Sequence, residues 1–204
     1  MSDIEAVASS AEAQNAIVVV DEAYIDFAAP GSSAVSLIAK YPNIVVLQTL
    51  SKAFGLAAIR CGFCIGSPDI IQLMNNVKAP YNVNALTSET ALKAFDSIHV
   101  LQQNIATMLR QRDDVVAPAL KALPFVTQVF PSDANFVLFR LTSKAAAVYK
   151  AMADNGVVIR FRGKEMHCAE CLRATIGTPS ENAAFLKKLV ETYDRLCQEE
   201  EAGN

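Results

Sequence analysis

A single lysine stands inside a stretch that is otherwise almost apolar, and it raises the first chemical question about this chain. The stretch is TLSKAFGLAAIRCGF, residues 49–63, in which Lys52 is followed by Arg60. A lysine amine in apolar surroundings is costly unless it is paired, deprotonated or used in covalent chemistry. Lys52 is therefore either a solvated lysine at the end of a surface helix or an amine that forms a Schiff base with a carbonyl compound.

Four further residues have the chemistry that a Schiff-base lysine needs around it. Asp21, Tyr24, Ser51, Lys52 and Arg60 fall at or after the ends of three predicted strands, and α/β sheets bind ligands at the carboxyl ends of their strands. As a set they match pyridoxal 5′-phosphate (PLP). The amine bonds the aldehyde carbon, the aspartate pairs with the pyridinium nitrogen, and the tyrosine donates to the phenolic oxygen. The serine hydroxyl and the arginine fork hold the phosphate.

Three of these side chains also have an ordinary structural explanation that the sequence leaves open. Asp21 could cap the segment that follows it. Tyr24 could be half-buried packing with its hydroxyl satisfied. Arg60 could be a surface charge on a strand.

The predicted elements place these residues in an α/β segment. Apolar runs at 16–20 and 43–50 predict buried strands, the first of them parallel, and residues 58–66 predict a third strand. A short helix is predicted at 33–41, and another helix after Ser67. Three strands make a thin sheet, and a parallel sheet needs both faces covered. This segment is therefore expected to be the second half of a larger α/β domain.

The spacing of the apolar residues changes after this segment. From about residue 84 to 123, apolar residues recur at three- and four-residue steps and predict helix, broken near residues 84–86 and near Pro118. The rest alternates short strand-like runs with helical segments, namely strands at 125–130, 134–141, 157–161 and 172–177 and helices at 143–156 and 179–200. We therefore divide the chain into an α/β segment at 1–84, a connecting helix at 85–114 and a small α+β domain at 115–204.

Composition excludes several classes of function. The 204 residues include 18 Lys+Arg and 21 Asp+Glu, a formal net charge of −3, with no basic stripe, so nucleic-acid binding is not expected. No apolar run approaches the roughly 20 residues of a membrane span, and the polar, acidic N-terminus is unlike a signal peptide. Five cysteines, an odd number, indicate reduced thiols and a cytoplasmic location.

Two C-x-x-C pairs, Cys61/Cys64 and Cys168/Cys171, invite a zinc interpretation that we do not favour. Cys61 and Cys64 lie in a predicted strand, where residues three apart point to opposite faces. The separation between the two pairs also far exceeds that of a zinc ribbon. Ordinary thiols and no metal are expected.

Three motifs give the chain a family resemblance. VVVDEAYIDF (18–27), TLSKAFGLAAIRCGF (49–63) and CLRATIGTPSEN (171–182) together resemble the class I and II aminotransferases of PLP fold type I, and most of all members that act on histidinol phosphate. The resemblance runs from about Ile17 to Tyr193. It implies an α/β fold: part of the PLP fold type I large domain, with a mostly parallel sheet, followed by a small α+β C-terminal domain.

The resemblance also implies roles for particular residues. Lys52 would be the Schiff-base lysine, Asp21 the partner of the pyridinium nitrogen and Tyr24 the contact of the phenolic oxygen. Ser51 and Arg60 would contact the cofactor phosphate.

Two arginines in the C-terminal part resemble substrate-binding residues of the family. Arg173 would pair with the substrate carboxylate, and Arg160 would hold a second substrate anion. Arg162 is an alternative to Arg160, because alternate strand positions share a face.

By resemblance, the function expected is that of a PLP-dependent transaminase of histidine biosynthesis that acts on histidinol phosphate and 2-oxoglutarate or glutamate, as a homodimer. Family members carry a long region before the D-E-A-Y strand, so the chain is expected to be the C-terminal portion of such an enzyme. The alternatives are another, for example aromatic, aminotransferase, a threonine-phosphate decarboxylase, and a catalytically inactive remnant that binds a partner chain.

Overall fold

The computed structural model describes residues 1–203, and the chain divides into two compact units at residues 1–103 and 104–204. Each unit has its own sheet and is described by itself. Within the described residues, no helix combines the length and the apolarity needed to cross a membrane.

The first unit is built on a three-stranded sheet with the order β1-β2-β3. Its strands are β1 (Val18–Asp21), β2 (Ile44–Thr49) and β3 (Gly62–Ile65). β1 and β2 are parallel, with Asp21 opposite Leu47, whereas β3 is antiparallel to β2, with Thr49 opposite Gly62. The sheet is thus mixed rather than mostly parallel, because the segment between β2 and β3 forms turns and not the crossover helix that usually joins parallel strands. As a result, β3 begins at the edge where β1 and β2 end.

Arg60 lies outside a strand, and the prediction that it falls in a strand at 58–66 was wrong. A 3₁₀ turn at Ala57–Ile59 ends at Arg60, whose φ of 52° is in the left-handed region. Such a backbone conformation is not extended, so β3 starts only at Gly62.

One face of this sheet is covered by α1 (Ser2–Glu12), a helix that the sequence analysis did not predict. Ala8 of α1 is buried against Ile44 and Val46 of β2, and against Ala34. Val19 points to the opposite face and is 58% exposed. The segment predicted as a helix at 33–41 is a 3₁₀ turn, Ala34–Leu37.

The helical region predicted after residue 84 consists of several pieces, preceded by α2 (Pro68–Val77), which starts after Ser67 as predicted. The helices are α3 (Ala85–Asp96), α4 (Ile98–Arg110) and α5 (Ala117–Ala122), with a π-helical segment, Gln111–Val116, between α4 and α5. The predicted connecting helix at 85–114 is therefore interrupted at Ser97. Pro118 lies in the first turn of α5, where proline is tolerated.

The second unit has a four-stranded antiparallel sheet with the order β4-β5-β7-β6. Its elements are β4 (Val126–Val129), β5 (Phe136–Leu141), α6 (Ala145–Asp154), β6 (Arg160–Phe161), β7 (Cys171–Thr175) and α7 (Pro179–Gly203). Of the strand predicted at 157–161, only Arg160 and Phe161 pair with β7. The core includes Phe139, Leu141, Met152, Leu172 and Leu189.

Gly62 permits the close approach of β3 to β2, and its replacement should destabilise the first unit. A Cβ at Gly62 would lie 2.8 Å from the backbone oxygen of Gln48, whereas at Gly66 the nearest atom would be Val45 Cγ2 at 3.4 Å. We expect Gly62→Ala to lower the free energy of unfolding by about 1–3 kcal/mol, because backbone must move. Urea unfolding of Gly62→Ala and of a control variant measures this loss of stability. An equal loss in the control, Gly66→Ala, would contradict it.

Candidate functional site

The carboxyl edge of the first sheet carries the candidate cofactor residues. Asp21 is the last residue of β1 and is exposed. Because Val18 and Val20 pack towards the cluster that contains Ala8, Asp21 points to the opposite face of the sheet. Its Oδ1 accepts a hydrogen bond from the backbone N–H of Ala23 at 3.0 Å. This bond aligns the carboxylate at the end of the strand.

The apolar stretch after β2 forms a turn that exposes Lys52. The turn is closed by Leu56 N–H, which donates to Leu50 O at 3.0 Å, and by Gly55 N–H, which donates to Lys52 O at 3.0 Å. Gly55 has a φ of +69°, a conformation that suits glycine. Leu50 is 1% exposed and packs with Phe54 and Leu56, whereas Lys52 itself is exposed. The apolar residues bury the base of the turn, and the amine lies at its tip.

Tyr24 and Lys52, which follow different strands, come together at this edge. The Lys52 Nζ atom lies 5.2 Å from the centroid of the Tyr24 ring. Tyr24 precedes the 3₁₀ turn Ile25–Phe27, and Phe27 is buried, which fixes that turn. An exposed cation over an aromatic ring contributes about 0.5–1 kcal/mol. The contact therefore orients the amine more than it stabilises the fold.

Ser51 is positioned by Thr49, a residue that the sequence analysis did not select. The Thr49 Oγ1 atom accepts from Ser51 N–H at 3.1 Å and lies 3.0 Å from Ser51 Oγ. The same hydroxyl lies 3.3 Å from the backbone oxygen of Cys61. Thr49 thus connects the end of β2 to the residue just before β3.

Hydrogen bonds of its side chain and of its backbone neighbours hold Arg60 at the same edge. Its Nη1 atom donates to Ala57 O at 2.9 Å, and the guanidinium is exposed. The preceding carbonyl, Ile59 O, accepts from Thr87 Oγ1 of α3 at 3.2 Å. Asn84 caps α3, since its Oδ1 accepts from Thr87 N–H at 2.9 Å. The start of α3 therefore supports the turn that presents Arg60.

Glu22 is a structural residue of this edge that sequence reasoning missed. It is 6% exposed, and its carboxylate accepts three hydrogen bonds. The donors are Ser33 Oγ at 2.8 Å, Ala34 N–H at 2.5 Å and Gln48 Nε2 at 2.9 Å. A buried carboxylate needs such donors. Its position directly after Asp21 was the only signal in the sequence, because the three donors are distant along the chain.

Beside this edge lies a pocket of about 370 Å³ whose lining mixes apolar and polar residues and includes Phe54, Phe63 and Phe95. Asp26 also lines it, and partial burial raises the pKa of that carboxyl, an effect that a backbone hydrogen bond partly opposes. The raised pKa means that the folded chain favours the neutral form of Asp26 more than the unfolded chain does.

The two candidate substrate arginines lie in the second unit, directly opposite each other. Arg160 of β6 pairs with Arg173 of β7 in an antiparallel ladder, where opposed side chains share a face. The guanidinium of Arg173 lies 4.8 Å from the ring centroid of Phe136, and its Nε is buried without a hydrogen-bond partner among the described residues. Opposed like charges are unfavourable, so an anion between the two guanidiniums would relieve their repulsion.

Arg162, the alternative to Arg160, is already engaged. Its Nη1 donates to Glu165 Oε1 at 2.5 Å. Among the described residues, neither Arg160 nor Arg173 has an ion pair. This difference favours Arg160 as the anion-binding residue.

Metal binding has no geometric basis in the part of the chain that is described. Across residues 1–203 there is no group of three or more His, Cys, Asp or Glu side chains placed to hold a metal ion.

Comparisons with known sequences match the chain to one family. A family model described as aminotransferase class I and II matches residues 1–189. Histidinol-phosphate aminotransferase of Cytophaga hutchinsonii is 45% identical over 87% of this chain and 50% of its own length. That of Saccharomyces cerevisiae is 40% identical over 91% of this chain and 50% of its own length. The chain spans about half the length of these relatives.

Solved structures show the same fold. The histidinol-phosphate aminotransferase of Clostridium acetobutylicum has a TM-score of 0.86 at 24% identity, covering 93% of this chain and 57% of its own. That of Sinorhizobium meliloti, solved in complex with pyridoxal 5′-phosphate, has a TM-score of 0.79 at 24% identity, covering 94% and 53%. The fold of the chain is thus that of part of a PLP fold type I aminotransferase.

Removing the Glu22 carboxylate should destabilise the first unit more than removing an exposed one. We expect Glu22→Ala to lower the free energy of unfolding by about 3 kcal/mol, because three donors would lose their acceptor. The control, Glu12→Ala, removes an exposed carboxylate of α1 and should change it by less than about 0.5 kcal/mol. Chemical denaturation followed by circular dichroism compares the two, and equal effects would contradict the account.

Proposed function

Because the chain belongs to the family of class I and II aminotransferases, we propose that it carries out PLP-dependent transamination, with histidinol phosphate as the amino donor and 2-oxoglutarate as the acceptor. The observation that carries this proposal is the Lys52 amine, exposed over the Tyr24 ring at the edge where β1 also presents Asp21. The names of the two relatives, at 45% and 40% identity, support the choice of donor.

The residues at this edge fit PLP by their chemistry. An exposed amine, an exposed carboxylate, a hydroxyl and an exposed guanidinium are what an aldehyde, a ring nitrogen and a phosphate require. Lys52 would hold the aldehyde carbon, Asp21 the ring nitrogen and Tyr24 the phenolic oxygen, while Ser51 and Arg60 would bind the phosphate. When bound, PLP supplies an electron sink for the substrate carbon that loses its proton.

The chain's own side chains would bind the cofactor and move protons. The Asp21 carboxylate would keep a proton on the ring nitrogen, since an adjacent negative charge favours the protonated, cationic ring. The Lys52 amine would act as the base that takes the proton from the substrate α-carbon and as the acid that later gives it back. Arg60 would balance the charge of the phosphate dianion.

Arg173 and Arg160 would bind the anionic groups of the substrates. Their opposed guanidiniums, neither of which is ion-paired among the described residues, would gain from a carboxylate or phosphate that neutralises both. Histidinol phosphate carries a phosphate, and 2-oxoglutarate carries two carboxylates, so two arginines could serve both substrates.

The proposal extends to assembly and location. We propose a homodimer that acts in the cytoplasm on small-molecule substrates, without nucleic-acid or membrane partners. The five cysteines, all free thiols, support a reducing compartment. We also propose that the chain consists of a cofactor-binding segment at 1–84, a connecting helix at 85–114 and a small α+β domain at 115–204.

Lys52 should be the residue that captures PLP. When the purified chain is mixed with PLP and reduced with borohydride, we expect a phosphopyridoxyl group on Lys52, mapped by peptide mass spectrometry. Lys52→Arg keeps the positive charge but cannot bond the aldehyde, so its labelling should fall at least about tenfold. The control, Lys78→Arg, changes another exposed lysine and should label normally. Equal labelling of several lysines would remove the basis of the proposal.

The same preparation distinguishes the possible reactions. With PLP bound, histidinol phosphate and 2-oxoglutarate should yield glutamate faster than phenylalanine and 2-oxoglutarate do. Release of carbon dioxide from threonine phosphate would indicate a decarboxylase instead. Cofactor capture without turnover of any donor would indicate a chain that binds PLP but does not transaminate.

Arg173→Lys should weaken substrate binding while PLP binding remains. The bidentate guanidinium contact with a carboxylate is lost, although the charge is kept. We expect the affinity for glutamate, read from the spectral change of the PLP-bound chain, to fall by about tenfold or more. The control, Arg195→Lys, alters an arginine of α7 that pairs with Glu199. Equal loss of PLP and glutamate affinity in Arg173→Lys would contradict the assignment.

A further inference from the structure

The two C-x-x-C pairs have the same spacing in sequence but different backbones. Cys168 and Cys171 flank a tight turn in which Cys171 N–H donates to Cys168 O at 2.9 Å. Residues at the two ends of such a turn have Cα atoms less than about 7 Å apart, and disulfides span Cα distances of about 4.4–6.8 Å. The turn therefore brings this pair within bridging distance.

This turn is held in place by contacts on both sides. Glu170 has a φ of 56°, a left-handed conformation that is unusual for a residue with a side chain. Its backbone oxygen accepts from Leu141 N–H at 2.9 Å, and its carboxylate accepts from Ala145 N–H of α6 at 2.8 Å. Contacts with β5 and α6 thus maintain the geometry that keeps the two cysteines close.

The two thiols differ in accessibility. Cys168 is partly exposed, whereas Cys171 is fully buried. Partial burial raises the pKa of the Cys168 thiol, and the nearby Cys171 raises it further, while Arg140 opposes the change. Cys168 is the thiol that a reagent in solution can reach, and Cys171 is the thiol behind it.

The other pair cannot close in the folded chain. Cys64 lies in β3 opposite Leu47, and the backbone oxygen of Cys61 accepts from Leu50 N–H at 3.1 Å across the same ladder. Residues three apart in extended backbone are about 10 Å apart, beyond the roughly 7 Å limit of a disulfide. Cys64 is directed to Met74 instead, with Sγ and Sδ at 3.3 Å.

We propose that Cys168 and Cys171 form a redox-active dithiol that closes to an intramolecular disulfide in the folded chain, whereas Cys61 and Cys64 do not. The inference is independent of the proposed transamination. It concerns the chain's reaction with small-molecule disulfides such as oxidised glutathione.

The reaction balances as two successive exchanges. The Cys168 thiolate attacks one sulfur of oxidised glutathione, which forms a mixed disulfide and releases one glutathione thiolate. The Cys171 thiolate then attacks the Cys168 sulfur, which forms the internal disulfide and releases the second glutathione. The two cysteines lose two protons and two electrons in total, and the two glutathiones gain them.

The bridge would also restrain the start of β7. Cys171 is the first residue of that strand, and Arg173 follows it on the same face. A covalent link across the turn should slow hydrogen exchange at Cys171 N–H and Leu141 N–H, because both hydrogen bonds close this turn.

The test uses the full chain incubated with oxidised glutathione, alkylated and mapped by mass spectrometry without reduction. We expect the Cys168–Cys171 disulfide to form at least about tenfold faster than a Cys61–Cys64 disulfide. In guanidinium chloride, where the fold is lost, the two pairs should close at similar rates. The matched variants are Cys168→Ser, which should stay free of internal disulfide, and Cys64→Ser, which should react like the parent chain.

Three results would overturn the proposal. These are equal closure of both pairs in the folded chain, a stable glutathione adduct on Cys168 that never resolves, and disulfides between chains in place of the internal one. Mapping the parent chain decides among these outcomes even if a variant fails to fold.

Discussion

The antiparallel pairing of β3 with β2 is the constraint on which the candidate site depends. It reverses the chain, so that residues before β3 lie at the same edge as residues after β1 and β2. Gly62 makes this pairing possible, since a Cβ there would meet the backbone of Gln48 at 2.8 Å. Without this reversal, Arg60 would lie at the opposite edge from Asp21 and Lys52. Gly62, two residues after Arg60, is thus needed for the geometry of the site.

The apolar stretch around Lys52 is explained by the same arrangement. Leu50, Phe54 and Leu56 form the buried base of a turn, and the lysine is exposed at its tip. The Lys52 amine is therefore in contact with solvent, and the apolar stretch around it does not impose the cost of burying a charge. Glu22, which directly follows β1, fixes the segment after that strand through three hydrogen bonds. Buried neighbours thus fix the two exposed residues, Asp21 and Lys52.

Features set by local pattern were predicted from the sequence, and features set by distant contacts were not. The strands that became β1 and β2, and the start of α2 after Ser67, follow from apolar runs and capping residues, and the structure confirms their existence. The predicted burial of the first strand was wrong, because Val19 is 58% exposed on the face that α1 does not cover. The direction of β3 depends on a partner strand, so no pattern within residues 58–66 reveals it. Glu22 was missed for the same reason, because its donors lie on Ser33, Ala34 and Gln48. For the two C-x-x-C pairs, the sequence predicted the strand that contains Cys64, whereas the turn between Cys168 and Cys171 is evident only from the structure.

The central claim is that one edge of the first sheet positions Asp21, Lys52 and Arg60 around a single cofactor. A crystal structure of the chain grown with PLP tests it most directly. The account predicts continuous electron density from Lys52 Nζ to the cofactor, with the Asp21 carboxylate at the ring nitrogen and Arg60 at the phosphate. Cofactor density at another lysine, or a bound phosphate far from Arg60, would contradict it.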